Sequence, residues 1–409
     1  MRGLLEESFR AAVAAADPLK ILAPHLPPPP TGRTFVAAAG KAAASMALAV
    51  ERNFNGDVEG IAITRYGHGL PTGKIRVIEA GHPVPDEAGE AAAREILEKT
   101  KELKAGDLLL ALLSGGGSSL LSLPAPDVPM AELKALTRDL LRSGAAIQEM
   151  NTVRKHLSAI HGGRLAAASK APVVALIISD VTGDDPTHIA SGPCAPDPTT
   201  YADALEILRR YRVTPPNSIK RRLERGADET PKPGDPVFSR VQNKVIATAH
   251  RSLEAAAEVF RRNQIQPVIL GDAVTGEASE VAKVLAALAR EIKTYGTPWK
   301  APVALISGGE CTVTIRGEGG RGGRCAEFLL SLGIETGGVW AIAADTDGID
   351  GTEDNAGAVL SPNSMKRGRD ARALLAKHDS YGFFSALGDL VKTGPTLTNV
   401  NDYRAILVL

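Results

Sequence analysis

The chain has 409 residues, 44% of them hydrophobic and 23% charged, and its 47 basic and 47 acidic side chains cancel to zero net charge. That length exceeds what one hydrophobic core usually supports, so two domains are expected. The even balance gives a nucleic-acid or membrane-surface role no electrostatic support, and no apolar run approaches membrane-spanning length.

Met1 to Asp17 carries Glu6, Glu7 and Asp17, unlike a signal peptide, so the cytoplasm is the expected location. Leu5, Phe9, Ala12, Val13 and Ala16 share one helical stripe, which predicts an amphipathic helix ended by Pro18. Pro27 to Pro30 follow as a stiff connector. From Thr34 the pattern is strand, glycine, helix: Phe35 to Ala39, then Gly40-Lys41, then Ala42 to Phe54. Further strands are read at Ile61 to Thr64 and Ile75 to Glu79, and a helix from Glu87 to Leu103.

Leu108 to Leu113 is a continuous apolar run, as a strand covered on both faces shows, and it ends in Ser114-Gly-Gly-Gly-Ser-Ser119. Helical patterns cover Met130 to Ser143 and Asn151 to Ala168, and Val173 to Ile178 reads as the next buried strand. The alternation implies a mostly parallel, three-layer sheet with right-handed crossovers. Between Val213 and Ser239 the composition shifts to Pro, Lys, Arg, Asp and Gly, which places the domain boundary there. The division expected is therefore 1–230 and 231–409.

The second half resumes with strands at Lys244 to Ala249, Gln266 to Leu270 and Val303 to Ile306, and helices from Leu253 and from Ala278 to Thr294. A short strand, Cys311 to Arg316, leads into the loop Gly317 to Arg324 and a helix at Cys325. Val339 to Ala344 precedes Asp345-Thr-Asp-Gly-Ile-Asp350, and Ala405 to Leu409 closes the chain. The cysteines Cys194, Cys311 and Cys325 lack metal-ligand spacing and are expected as reduced thiols.

Several stretches carry chemistry. Lys41, between a strand and a helix, would add its ammonium to a positive helix end and suit a phosphate oxygen; a solvated lysine fits the spacing equally well. The turn Ser114, Gly115, Gly116, Gly117, Ser118 at a parallel strand's C-terminal end is an anion candidate, and Ser307, Gly308, Gly309, Glu310 repeat the theme. Asp180, Asp184 and Asp185 at one strand end can ligate Mg²⁺ or accept a hydroxyl proton, although Asp also caps turns. Asp345, Asp347, Asp350 and Asp354 repeat that arrangement without EF-hand spacing. Arg154, Lys155 and His156 can face an anion or form a solvated basic face; His82 reads as a turn residue, and His188 sits in the Asp-rich loop. Gly317-Glu-Gly-Gly-Arg-Gly322 matches GxGxxG, yet the strand before it alternates polar and apolar, whereas a dinucleotide fingerprint follows a buried strand. Arg321 and Arg324 in that turn suit terminal phosphates better.

Taken in one order from residue 40 to 402, GKAAASM, GHPVPD, LLSGGGSSLL, NTVRKHLSAIHGGRLA, ISDVTGDDPTHIASGP, TPKPGDP, LISGGECTVTIRGEGGRGGRCAEFLL, DTDGIDGTEDNAGA and GPTLTNVND resemble the glycerate kinase family with a C-terminal MOFRL domain. The resemblance implies an α/β fold: a Rossmann-like N-terminal domain, a smaller α/β C-terminal domain, and an active site in the cleft between them. It implies ATP-dependent phosphorylation of D-glycerate, usually at the 2-hydroxyl, with Mg²⁺. Carried over, Lys41 and Arg321 would be catalytic cations, and Asp184 and Asp347 carboxylates for metal or base duty. Asp180 and Asp345 join them as metal candidates. Arg324 and the two Ser-Gly-Gly turns would hold the nucleotide, and Arg154, Lys155 and Asn399 the substrate; read from the residues, the first-half glycine loops with Arg154 or Lys155 can also hold the glycerate carboxylate. Cys311 and Cys325 stand where the family pattern has Thr and Asn. A homodimer is compatible with this reading. The competing expectations are an NAD(P)H-dependent hydroxypyruvate reductase and a non-catalytic sensor of phosphorylated sugars or acids.

Overall fold

The computed structural model describes residues 1–317, 319–336 and 338–409. The chain divides into two compact units, Pro18–Ile246 and a second formed by Met1–Asp17 with Ala247–Leu409.

In the unit Pro18–Ile246 a six-stranded sheet is formed by β1 (Thr34–Ala39), β2 (Val58–Arg65), β3 (Ile75–Ala80), β4 (Leu108–Leu113), β5 (Val173–Ile178) and β6 (Val241–Ala247). Its order is β3-β2-β1-β4-β5-β6, and the pairings of β1 with β2 and β4, β2 with β3, and β4 with β5 are parallel. The chain therefore winds outward from β1 in one direction and from β4 in the other. Ala39 stands level with Leu113 in the register, so both strands release their loops at one point of the sheet edge. Ligands of doubly wound sheets bind at that switch. β1 and β4 are buried at every position, as their unbroken apolar runs require.

The other unit carries a mixed sheet of order β13-β12-β11-β14-β9-β7 and a two-stranded pair of β10 with β8. Its strands are β7 (Gln266–Gly271), β8 (Gly276–Glu277), β9 (Val303–Ser307), β10 (Cys311–Thr312), β11 (Trp340–Asp345), β12 (Gly357–Leu360), β13 (Leu390–Val391) and β14 (Asp402–Val408). Within the six-stranded sheet β7 with β9 is parallel and the other described pairings are antiparallel; the separate pair of β10 with β8 is parallel. One face packs the helices Ala278–Tyr295 and Arg324–Thr336, and the other packs Ala249–Arg262 together with the N-terminal helix Arg2–Ala14. Leu5, Phe9 and Ala12 are the stripe that this helix buries.

Three local expectations are revised. The composition shift at 213–239 is not a boundary, because helix Asn217–Arg225 buries Ile219, Arg222 and Leu223 in the first unit and β6 extends that unit's sheet. The division accordingly falls after Ile246 and not at 230. The helix expected over 151–168 is two helices, Ile147–His156 and Arg164–Ala168. Between them the Ser158 hydroxyl accepts the N–H groups of Ile160 and His161, and Gly162 and Gly163 take positive φ. The strand expected over 311–316 is only the two residues of β10.

Candidate functional site

In the first unit the switch point is built by close backbone approach. Gly40 has φ +130°, and a Cβ there would lie 2.1 Å from the Ser114 Oγ. With that space open, the Lys41 N–H donates to the Gly115 carbonyl at 2.8 Å and the Ala42 N–H to the Ser114 hydroxyl at 3.1 Å. The N–H groups of Gly115 and Gly116 take no acceptor among the described residues. Gly116 is left-handed, and a Cβ on it would meet the His82 Nε2 at 2.9 Å and the Lys41 Cγ at 3.5 Å. Lys41, His82 and two unused amide donors thus converge on one turn. The signal for His82 lay in its place between Gly81 and Pro83, and what brings it to the site is the lack of a side chain at 116.

The helix after this turn is short, Gly117–Leu120, and Ser118 is held by a 2.8 Å hydrogen bond from the Ser191 hydroxyl. Ser191 lies in a run of left-handed residues, Ala190 to Gly192, that closes the Asp-rich loop beneath it. In that loop Asp184 also adopts φ +54°, and its carboxylate takes no partner among the described residues. Asp185 accepts the Thr187 N–H, an ordinary turn bond. His188 has a buried Nδ1 without a partner, and burial pushes its imidazole below the usual range.

Beside the turn lies a cavity of about 350 Å³ whose lining includes Val84, Leu133, Ser118, Arg154 and His161. Arg154 donates to the Asn151 Oδ1 at 3.2 Å, and no carboxylate pairs with it among the described residues. His161 is 3% exposed with an unpartnered Nε2; burial, then Arg154 and Lys155, hold its pKa at about 3.

Lys155 departs from the expected substrate role. Its ammonium is buried against Asp197 at 2.9 Å, and Asp197 also accepts from Thr199 and Thr230. Burial works against the Asp197 charge, but Lys155 and Thr199 hold its carboxyl below the ordinary value. Its charge is thus neutralised inside the protein.

In the second unit Ser307, Gly308 and Gly309 end β9. The buried Arg404 donates to the Gly308 and Gly309 carbonyls at 3.0 and 3.3 Å and to Asp402 at 2.8 Å. With its carbonyls drawn inward, the turn leaves the Gly309 N–H without an acceptor among the described residues. Arg324, expected on a phosphate, is spent on three carboxylates: Glu310 and Asp402 at 2.8 Å and Asp345 at 2.7 Å. Burial opposes its charge, yet Asp402, Asp345 and Glu310 hold it protonated beyond the ordinary range. Glu310 is correspondingly an ion-pair partner. Asp345, expected on a metal, faces Arg324 and accepts the Asp347 N–H at 3.0 Å. Asp347 is buried and accepts the Ile349 N–H. Asp350 receives the Cys325 and Ala326 N–H groups and caps the helix Arg324–Thr336; burial pushes its carboxyl up to about 7. Cys325 is buried at the start of that helix and Cys311 lies beside it, both in the apolar core.

Arg321 is exposed, stacks 4.1 Å over the Tyr381 ring and donates twice to Glu353, at 3.0 and 2.6 Å. Asn399 is buried and its Oδ1 accepts the Asn401 N–H. The GxGxxG match includes Glu318, which lies outside the described residues; the strand before it, β10, pairs with β8 and not with the main sheet. Among the described residues no group of three or more His, Cys, Asp or Glu side chains is placed to hold a metal. Mg²⁺ in phosphoryl transfer commonly rests on one or two carboxylates and the substrate's phosphates, a demand that Asp184 fits and Asp345, committed to Arg324, does not.

These features define an α/β protein of two units in which a doubly wound sheet carries a glycine turn, a lysine and a basic cavity at its switch point. Residues 4–224 match the family described as a domain of unknown function, DUF4147, and residues 303–402 match the MOFRL family. A glycerate 2-kinase of Pyrococcus horikoshii is 42% identical over 92% of this chain and 88% of its own, and a D-glycerate 2-kinase of Thermotoga maritima is 38% identical over 98% and 97%. An Agrobacterium vitis protein provisionally named hydroxypyruvate reductase is 51% identical over 100% and 94%. The crystal structure of a Thermotoga maritima glycerate kinase superposes with a TM-score of 0.87 at 37% identity, covering 100% of this chain and 99% of the other. The chain belongs to the glycerate kinase family with a C-terminal MOFRL domain, and it is an enzyme of that family.

Proposed function

We propose that the protein transfers the γ-phosphoryl group of ATP to the 2-hydroxyl of D-glycerate. The observation that carries this reading is the near full-length likeness to two proteins named glycerate 2-kinase, combined with Lys41 beside free amides at the switch point. In the transfer the bond from the γ-phosphorus to the bridging oxygen of ADP breaks, a bond to the glycerate oxygen forms, and the hydroxyl proton passes to a carboxylate. Such chemistry asks a protein chiefly for positioning and charge neutralisation. Lys41 and the Gly115 and Gly116 amides supply donors to phosphoryl oxygens. In the second unit Arg321, exposed on its Tyr381 platform, is the cation we assign to a phosphate in exchange for Glu353. We assign Asp184 of the first unit and Asp347 of the second as candidates for metal ligation or proton acceptance. Bound Mg²⁺ would neutralise phosphate charge.

³¹P NMR of the protein with ATP, Mg²⁺ and D-glycerate tests the reading directly. A 2-phosphoglycerate resonance is expected; intact ATP, or a 3-phosphate ester, would overturn the activity or its regiochemistry respectively. Lys41→Ala should lower kcat by about 100- to 1,000-fold, the usual loss for one positioned donor, with an unchanged melting transition. The reductase reading is favoured by the name of the Agrobacterium vitis relative, and cofactor oxidation dependent on hydroxypyruvate would establish it. The placement of Gly317–Gly322 after a two-residue strand outside the main sheet counts against it.

A further inference from the structure

The cavity beside the glycine turn is larger and more apolar than glycerate can use. Its volume of about 350 Å³ falls within the roughly 300–1,000 Å³ of pockets that enclose drug-sized ligands. Pro83, Val84, Pro85 and Leu133 form an apolar wall, and Val84 is 59% exposed although it is aliphatic. Among the described residues Lys134, Arg138 and Arg154 are the charged side chains in the lining, and no carboxylate joins them. Ser122, Thr137 and Ser158 add hydroxyls, and the buried, unpartnered Nε2 of His161 adds a neutral hydrogen-bonding group. Ser118 and Ser119 connect this lining to the turn where Gly115, Gly116 and Lys41 meet. The ligand chemistry that suits such a place is a flat, largely apolar body with several negative charges at one end.

We infer that this cavity seats the nucleoside of the phosphoryl donor, with its purine against Pro83, Val84 and Leu133 and its phosphates led past Arg154 to the Gly115–Gly116 turn. The inference rests on the kinase reading above. It reassigns Arg154 from the glycerate carboxylate to the donor's phosphates, because Arg154 lines a space that glycerate would leave mostly empty. A cavity so lined would bind ATP in the absence of glycerate.

The test combines labelling with kinetics. Irradiation of the full chain with 2-azido-ATP, followed by peptide mapping, should place the label within residues 83–85 or 131–138, and excess ATP should suppress it. Val84→Glu alters an exposed position and should leave folding intact; it should raise the KM for ATP at least ten-fold and leave the KM for glycerate within two-fold. Thr137→Glu, also in the lining, should do the same. Label elsewhere, or an unchanged KM for ATP in both variants of an active kinase, would overturn the nucleoside site while the kinase reading stands. A raised KM for glycerate alone would also overturn it and return the cavity to the acceptor. Protected labelling at 83–85 or 131–138 in a protein that transfers no phosphoryl group to glycerate would uphold the site and sink the kinase reading.

Discussion

Lys155 and His161 are separated by six residues in sequence, both are buried beside the same basic segment, and they do different work. Lys155 is neutralised by Asp197, with side-chain exposures of 1% and 0%. Removing one member of such a pair strands the other charge in a medium that solvates it poorly, which typically costs 3–5 kcal/mol, roughly. Lys155→Met should therefore lower the denaturant midpoint markedly, whereas a substrate-binding lysine would lower turnover and spare stability. His161 is held neutral: its pKa falls from 6.5 to about 3 because burial, Arg154 and Lys155 disfavour the imidazolium. Between those two values the unfolded chain binds the proton that the folded one refuses, so stability is full above pH 6.5 and declines as the pH falls toward 3. His161→Gln should flatten that part of the curve of unfolding free energy against pH. A slope identical to that of the parent protein would contradict the assignment.

At the scale of elements, the glycine turn depends on how closely β1 and β4 release their chains. Gly40→Ala would press a methyl group within 2.1 Å of the Ser114 hydroxyl at a φ of +130° that L residues avoid. The strain should cost about 1–3 kcal/mol. Displacement of Lys41 and the Gly115 amide by a fraction of an ångström should lower kcat/KM by about 100-fold. Differential scanning calorimetry and steady-state kinetics measure the two effects separately. The corresponding turn of the second unit is stiffened in another way, by the Arg404 guanidinium on its carbonyls and by the Arg324 pairs with Glu310, Asp345 and Asp402. Arginines in a glycine-rich loop read as phosphate ligands in the sequence because carboxylates distant in the chain, such as Asp402, are invisible to local inspection. The same blindness hid Asp197 from Lys155. The apolar runs of β1, β4 and β5, by contrast, were legible because a strand covered on both faces needs no partner to betray it. The Asn151–Ala168 helix was misread because a serine that accepts two amides can end a helix whose periodicity continues.

For the whole molecule, the chain's first helix belongs with its last half. Leu5, Phe9 and Ala12 pack with Leu253, Ala256 and Phe260, and the Tyr403 hydroxyl donates to Ser8 at 2.8 Å. Burying a leucine or phenylalanine side chain is worth about 1.5–3 kcal/mol. Deletion of residues 1–17 should accelerate amide hydrogen exchange in Ala249–Arg262 and in β14, and leave β1, β4 and β5 protected. Equal acceleration in both units would show that the helix serves a different core.

The sequence by itself determined the elements whose cause is local: the buried strands, the amphipathic first helix, the glycine turns at strand ends, and the ordered series of motifs that marks the family. It also placed Lys41 at a strand end, since strand, glycine and helix follow one another within a few residues. Tertiary structure alone decided which charges remain available. Lys155, Arg324 and Asp345 were indistinguishable in sequence from Arg154 and Asp184, and only the fold brought oppositely charged partners to the first three. A charge's environment is set by residues far away in the chain, whereas a strand's burial is written in its own side chains.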